Sequence, residues 1–487
     1  MSCSTDRYGT EVLSGAEAES LNQPLRLPFS GKVIKNRFCK SALSENLARS
    51  DGQIDNAHLN KLLNVYDSWA QGGFGLIITG NVMVDRTMRE MEFNVSVEDE
   101  RDLGRLKVWA QTVQNHGGAL FAQISHPGRQ THAHLTKEPV APSAVPSPNF
   151  HRLMVFNYPR ALTVPEIHQT IQRFITTSVV LHKAGFDGVQ IHAAHGYLVS
   201  QFLNPRTNIR TDKYGGSIEN RARFLCEIIQ GIRQATPREF SIGVKLNSVD
   251  FGRRQSPKGQ QQQWNQNTKD AALAAEIKDL DADDEQIERS LDDAVQVSLM
   301  LENLGVDFIE ISGGSYESWV GGLLDRNEKR INIEQQKLSE STQKREAHFA
   351  VFADRISNKL KITKVILTGG FVSAKGMINA LNSLSDEESI HSNGQPHIDM
   401  IGLGRPACHE PNLPNLIMAG SVTGAVRIPK MLGGFLDDVF VSTGNIHRIA
   451  NQKEPVWNLS SILLSRNHIA NVLLYSKMIW SGIKNSI

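Results

Sequence analysis

Eight short apolar runs separated by longer helical patterns constrain this chain more than any other feature. The runs are Phe38–Ala42, Gly75–Gly80, Ala119–Ser125, Gly188–His192, Ser241–Asn247, Phe308–Ser312, Val365–Gly369 and Ile398–Gly402. Between them lie segments of helical character around His58–Ala70, Asp102–His116, Val164–Ala184, Glu219–Gln234, Leu291–Leu304, Lys344–Leu360 and Ala374–Leu384. The runs are apolar on both faces, as strands are when both sides of a parallel sheet are covered. Eight such units over roughly 400 residues predict an α/β chain folded as a (β/α)8 TIM barrel, with an open doubly wound sheet as the structural alternative.

Three stretches fall outside this rhythm. Residues 1–24 form an N-terminal extension ahead of a barrel expected over 25–420. Residues 252–289 are polar, with a glutamine run at Gln260–Gln263, and read as an insertion between strand five and its helix. Residues 421–487 form a C-terminal extension. Its last part, SSILLSRNHIANVLLYSKMIW, is apolar but interrupted by Arg466, His468 and Lys477. A docked amphipathic helix is the expectation there, with a membrane-surface or partner helix as the alternative. A net charge of +1 gives no footprint for nucleic acid or an anionic membrane. Cys3, Cys39, Cys226 and Cys408 are far apart, so neither a zinc site nor a disulfide framework is expected. The N-terminus has no apolar signal core and the chain has no run long enough to span a bilayer, so a cytoplasmic protein is expected. Oligomeric state is left open, a homo-oligomer included.

In such a barrel, ligands sit at the C-terminal ends of the strands. Strand one leads into Lys40, Ser41 and Ala42, and strand two into Gly80 and Asn81. Strand three carries Gln123, strand four ends in His192, His195 and Tyr197, and strand five ends in Lys245 and Asn247. Strand seven ends in Gly369 and Gly370, and strand eight in Gly404 and Arg405. Glycines in the last two loops suit a phosphate held on backbone N–H groups, with Arg405 as a charged fork. His192 and His195 have a spacing open to metal ligation, but no carboxylate partner stands at a neighbouring strand end, since Glu310 lies within strand six. The other reading is two imidazoles donating to a carbonyl oxygen and a phenol delivering a proton. Lys245 ends an apolar strand, so it reads as a barrel residue rather than a surface lysine paired with a carboxylate.

The run from His192 to Phe224, HAAHGYLVSQFLNPRTNIRTDKYGGSIENRARF, resembles the signature of the old yellow enzyme family of FMN-containing NAD(P)H oxidoreductases. KNRFCKSALSE, LIITGNVMVD, FAQISHPGR, VKLNSVDF, DFIEISGGSYE, VILTGGFVSAKGM and IDMIGLGRPACHEPNLP extend the resemblance from about residue 25 to residue 420 in family order. It implies FMN as cofactor, NADPH or NADH as hydride donor, and an enone-type small molecule as substrate. His192 and His195 would hold the substrate carbonyl and Tyr197 would supply the proton. Gln123 would face the flavin pyrimidine ring, and Lys245 would lie near flavin N1 and O2, raising the reduction potential. Ser41, Ala42 and Gly80 or Asn81 would touch the isoalloxazine. Gly369, Gly370, Gly404 and Arg405 would hold the phosphate. Ser44 departs from the family, standing where some relatives carry cysteine and others threonine. Desaturation or aromatisation of a substrate, or electron transfer to a quinone or oxygen, is the second expectation. A non-catalytic phosphate-binding barrel is the third.

Overall fold

The structure, a computed structural model, describes residues 6–147, 156–247, 284–312, 353, 355–382, 398–428 and 435–456. Eight parallel strands close into a barrel: β1 (Phe38–Lys40), β2 (Leu76–Met83), β3 (Ala119–Ser125), β4 (Gly188–Ala193), β5 (Ser241–Asn247), β6 (Phe308–Ser312), β7 (Lys364–Thr368) and β8 (Met400–Leu403). Each pairs with its successor, and β8 pairs with β1, which also pairs with β2, so no open edge remains. All eight expected strands are present, with shifted ends. The largest shift is in β2, which runs on to Met83 because its register against β3 slips between Ile78 and Asn81. Such a bulge lets a strand continue while changing which residues face inward.

The outer helices are α1 (Asn56–Gln71), α2 (Leu103–Gln114), α3 (Val164–Lys183), α4 (Ile218–Ala235), α5 (Asp284–Asn303) and α6 (Ala374–Asn382). Their starts are encoded locally. Asp55 and Ser217 accept from backbone N–H groups of α1 and α4, and Thr163 forms a capping box with Glu166 at α3. α5 begins at Asp284, inside the stretch expected to be insertion. Residues 252–283 of that stretch lie outside the described residues, as do Cys3 and the apolar tail segment of residues 460–480.

Two apolar layers hold the barrel. Inside it, Cys39, Leu76, Ile78, Phe121, Phe308, Ile366 and Met400 form one buried cluster with Leu25, Leu27 and Ile34. The last three belong to or flank the paired strands Leu25–Arg26 and Val33–Ile34. Two glycines make this filling possible. A Cβ on Gly243 would come within 2.2 Å of the Phe308 ring, and one on Gly188 within 2.6 Å of the Phe121 ring. Outside the strands, Tyr66, Trp69 and Trp109 pack edge-on beneath α1 and α2.

Among the helices that follow β8 are α7 (Arg405–His409) and, within the C-terminal extension, α8 (Phe435–Ala450), which packs on α1 and α7. Beside apolar contacts from Ile446, Ile449 and Ala450, it makes a polar one through Asn445, which is wholly buried. Asn445 donates from Nδ2 to His409 Nδ1 at 3.1 Å, and the Asn445 amide also pairs with both backbone groups of Val456. Burial holds His409 down to about 3, so its ring is neutral and its Nδ1 accepts. Asn445→Ala would strand His409 Nδ1 in the interior and release both backbone groups of half-buried Val456, and should lower stability by about 2 kcal/mol. A urea midpoint that falls at unchanged m-value checks this. Among the described residues no helix is long and apolar enough to cross a membrane.

Candidate active site

Alternation along β4 turns Gln190 and His192 to the same side, and the chain then makes a sharp turn. His195 takes a φ of +58°, a conformation that a non-glycine residue adopts at a cost, followed by Gly196 at +77°. Contacts from two neighbouring strands hold the turn. The His195 N–H donates to Asn247 Oδ1 at 3.0 Å, and its Nε2 lies 3.2 Å from Ser312 Oγ. Tyr197 stands immediately before the short helix Leu198–Leu203. The result is an aromatic cluster of three residues. The His192 and His195 rings lie 5.0 Å apart and nearly perpendicular, and His192 meets Tyr197 edge-on at 4.7 Å.

The protonation of this cluster follows from its surroundings. His192 Nδ1 accepts from the Ala194 N–H at 3.2 Å, which leaves the ring proton on Nε2 as a donor. Burial, then the neighbouring His195 and Lys245, push His192 well below the usual histidine range. Burial and Lys245 hold His195 at about 3, against the opposing pull of Glu310. Both imidazoles are therefore neutral near pH 7.

Beneath them lies a buried polar layer drawn from five strands and from Ser41, just past β1. Gln123 Nε2 donates to Gln190 Oε1 at 2.7 Å, and Gln190 Nε2 donates to Glu310 Oε2 at 2.6 Å. Lys245 Nζ lies 3.0 Å from Glu310 Oε1, off the direction of a hydrogen bond, with both side chains almost wholly buried. The Thr368 hydroxyl, on the next strand, lies 2.8 Å from that of Ser41. Only glycine fits beside that pair, because a Cβ on Gly402 would stand 1.8 Å from Thr368 Oγ1. Lys245 is thus a barrel residue, as its strand predicts, yet it has a carboxylate partner. Glu310 lies in direct register with it across β5 and β6.

At the rim, the bulge in β2 separates two residues that sequence left as alternatives. Asn81 pairs in register with Gln123. Gly80 gives its N–H to Glu45 at 2.7 Å, and a Cβ there would meet the same carboxylate at 2.2 Å. Asn81 Nδ2 donates to Glu90, as does Ser44 Oγ at 2.9 Å, while Asn81 Oδ1 is buried and meets no donor among the described residues. Ala42 is half-buried against the inner apolar cluster. After β7, Gly369 and Gly370 both have positive φ, +148° and +74°. Gly404 precedes α7 with open space where a side chain would be, and Arg405, its first residue, is exposed. Gly313 and Gly314, after strand six, lie outside the described residues.

These features fit the expected FMN. An orphaned acceptor on Asn81 calls for an N–H donor, the polar layer offers amide and ammonium groups, and the glycine loops leave backbone accessible to a phosphate. Sequence reasoning missed Gln190, Glu45 and Glu90, and it noted Glu310 within strand six only to set it aside as a metal ligand. For Gln190 and Glu310 a signal existed, since each is a polar residue inside an otherwise apolar strand. Glu45 and Glu90 sit in loops, where a carboxylate is unremarkable.

Comparison with known proteins leads to the same place. The model of the NADH:flavin oxidoreductase / NADH oxidase family matches residues 20–292. An NADH-dependent flavin oxidoreductase of Aspergillus parasiticus is 34% identical over 91% of this chain and 88% of its own. Among solved structures, an old yellow enzyme homologue from Zymomonas mobilis shares the fold with a TM-score of 0.59 at 22% identity, covering 83% of this chain and 94% of that one. A 2-naphthoyl-CoA reductase complex gives 0.63 at 22% identity over 84% of this chain, which spans only 54% of that longer protein. With a family model matching more than half of its length and a relative aligned nearly end to end, this chain belongs to the NADH:flavin oxidoreductase / NADH oxidase family, that of the old yellow enzyme, and is an FMN-dependent NAD(P)H oxidoreductase.

Proposed function

We propose that the chain reduces the carbon–carbon double bond of α,β-unsaturated carbonyl compounds. The observation that carries this reading is the buried cluster of two neutral imidazoles and a phenol. The chemistry that bound FMN supplies is hydride transfer, from NADH or NADPH in one half-reaction and to the substrate β-carbon in the other. The Aspergillus relative is NADH-dependent, which supports NADH as the donor. Gln123, Lys245, Asn81, Ser41 and Ala42 would hold the ring system, and Gly369, Gly370, Gly404 and Arg405 the phosphate.

His192 donates from Nε2 to the substrate carbonyl oxygen, and His195 gives a second hydrogen bond. Because both rings are neutral, they stabilise charge growing on that oxygen without surrendering a full proton to it. Tyr197 holds the proton that reaches the α-carbon. His192 and Tyr197 are closed to solvent and His195 is partly so, which keeps water from competing for the carbonyl.

An anaerobic visible spectrum tests the proposal. NADH should bleach the flavin band and cyclohexenone should restore it. Bleaching reversed by a quinone or oxygen but not by any enone would replace this reading with the electron-transfer alternative.

A further inference from the structure

We infer that Glu310 is the positioning residue that sets both the charge Lys245 presents and the orientation of Gln123. The inference rests on the reading that Lys245 and Gln123 face the cofactor. Glu310 is the hub of the polar layer. It takes the Lys245 ammonium at 3.0 Å and the Gln190 amide at 2.6 Å. It is wholly buried, and the side chain of Lys245 is only 4% exposed. No solvent intervenes to screen one charge from the other, so the two act as a nearly neutral pair.

Two consequences follow. First, a lysine placed alone would favour the anionic reduced flavin strongly, whereas this lysine carries its counter-charge in the next strand. Glu310 therefore holds the potential below the value the lysine alone would give. Second, Glu310 accepts from Gln190 Nε2, which turns Gln190 Oε1 towards Gln123 and takes up the Gln123 amide N–H2. Gln123 is left to present its carbonyl oxygen to a ligand N–H. A carboxylate on β6 thus selects the polarity of an amide on β3.

The test measures the midpoint potential of the FMN holoprotein with Glu310→Gln and Lys245→Met, all at one pH. Lys245→Met should lower the potential. Glu310→Gln should raise it, shifting the reduction equilibrium about tenfold, or about 30 mV for a two-electron couple. A potential that moves in Lys245→Met but not in Glu310→Gln overturns the inference and leaves the placement of Lys245 standing. A potential unmoved by Lys245→Met overturns that placement, and the inference with it. If Glu310→Gln fails to fold, Gln190→Leu replaces it. That variant should weaken FMN binding about tenfold, read by flavin fluorescence on titrating the apoprotein, while unchanged affinity overturns the inference.

Discussion

Tyr197→Phe should slow reoxidation of the reduced enzyme by cyclohexenone by about 10²- to 10⁴-fold, the usual contribution of a positioned general acid. Reduction by NADH should stay within a few-fold of wild type. The substitution removes the hydroxyl and leaves the ring. The ring keeps its edge contact with His192, and the backbone keeps its bond from Gln201 N–H to Tyr197 O at 2.7 Å. Stopped-flow absorbance separates the two half-reactions directly. Equal losses in both would remove Tyr197 from the role of proton donor. The neutral histidines add a second expectation. With His195 held at about 3 and His192 well below 6.5, the enone half-reaction should show no ionisation near pH 6.5.

The barrel was legible because a strand covered on both faces has to be apolar throughout, and eight such runs leave few alternatives. Rim residues were legible for a related reason: a polar residue at the end of such a run has only the barrel mouth to face. The bulge in β2 was not. Strict alternation from Ile78 would turn Gly80 inward, and only the slip in register brings Asn81 level with Gln123. A glycine beside an asparagine does not announce that slip. Lys245 shows a different limit. Its burial followed from its strand, but its counter-charge sits 65 positions away and is fixed by the pairing of β5 with β6. Gln190 lay within the same reach, yet its purpose appears only once Gln123 and Glu310 stand on either side of it.

The C-terminal extension was the least legible part. Nothing in residues 421–456 marks Asn445 as a buried anchor, because an asparagine in a helix is usually solvated. It becomes an anchor through His409, a neutral ring from the helix that follows β8. The extension is thereby tied to the same β8 loop that carries Gly404 and Arg405.

The largest loss of stability should come from a carboxylate outside the barrel. Glu45 accepts from the Tyr66 hydroxyl and from the Gly80 N–H, and it faces the buried ammonium of Lys40. Lys40 lies 4.0 Å above the Trp69 ring and donates to Ile78 O at 3.2 Å, with its side chain closed to bulk solvent. Burial already pushes Lys40 below the usual lysine range, and Glu45 is the main group opposing that shift. Glu45→Ala removes the oxygen that accepts both bonds and the counter-charge together, so it should destabilise the holoprotein by about 3–5 kcal/mol. Glu45→Gln keeps an acceptor for Tyr66 and Gly80 and should lose clearly less. Urea unfolding at saturating FMN compares the two without a difference in ligand occupancy. Equal losses would assign the whole effect to the charge on Lys40. A loss in Glu45→Ala alone would assign it to the acceptors that fix Gly80, and so to the bulge that turns Asn81 into the barrel.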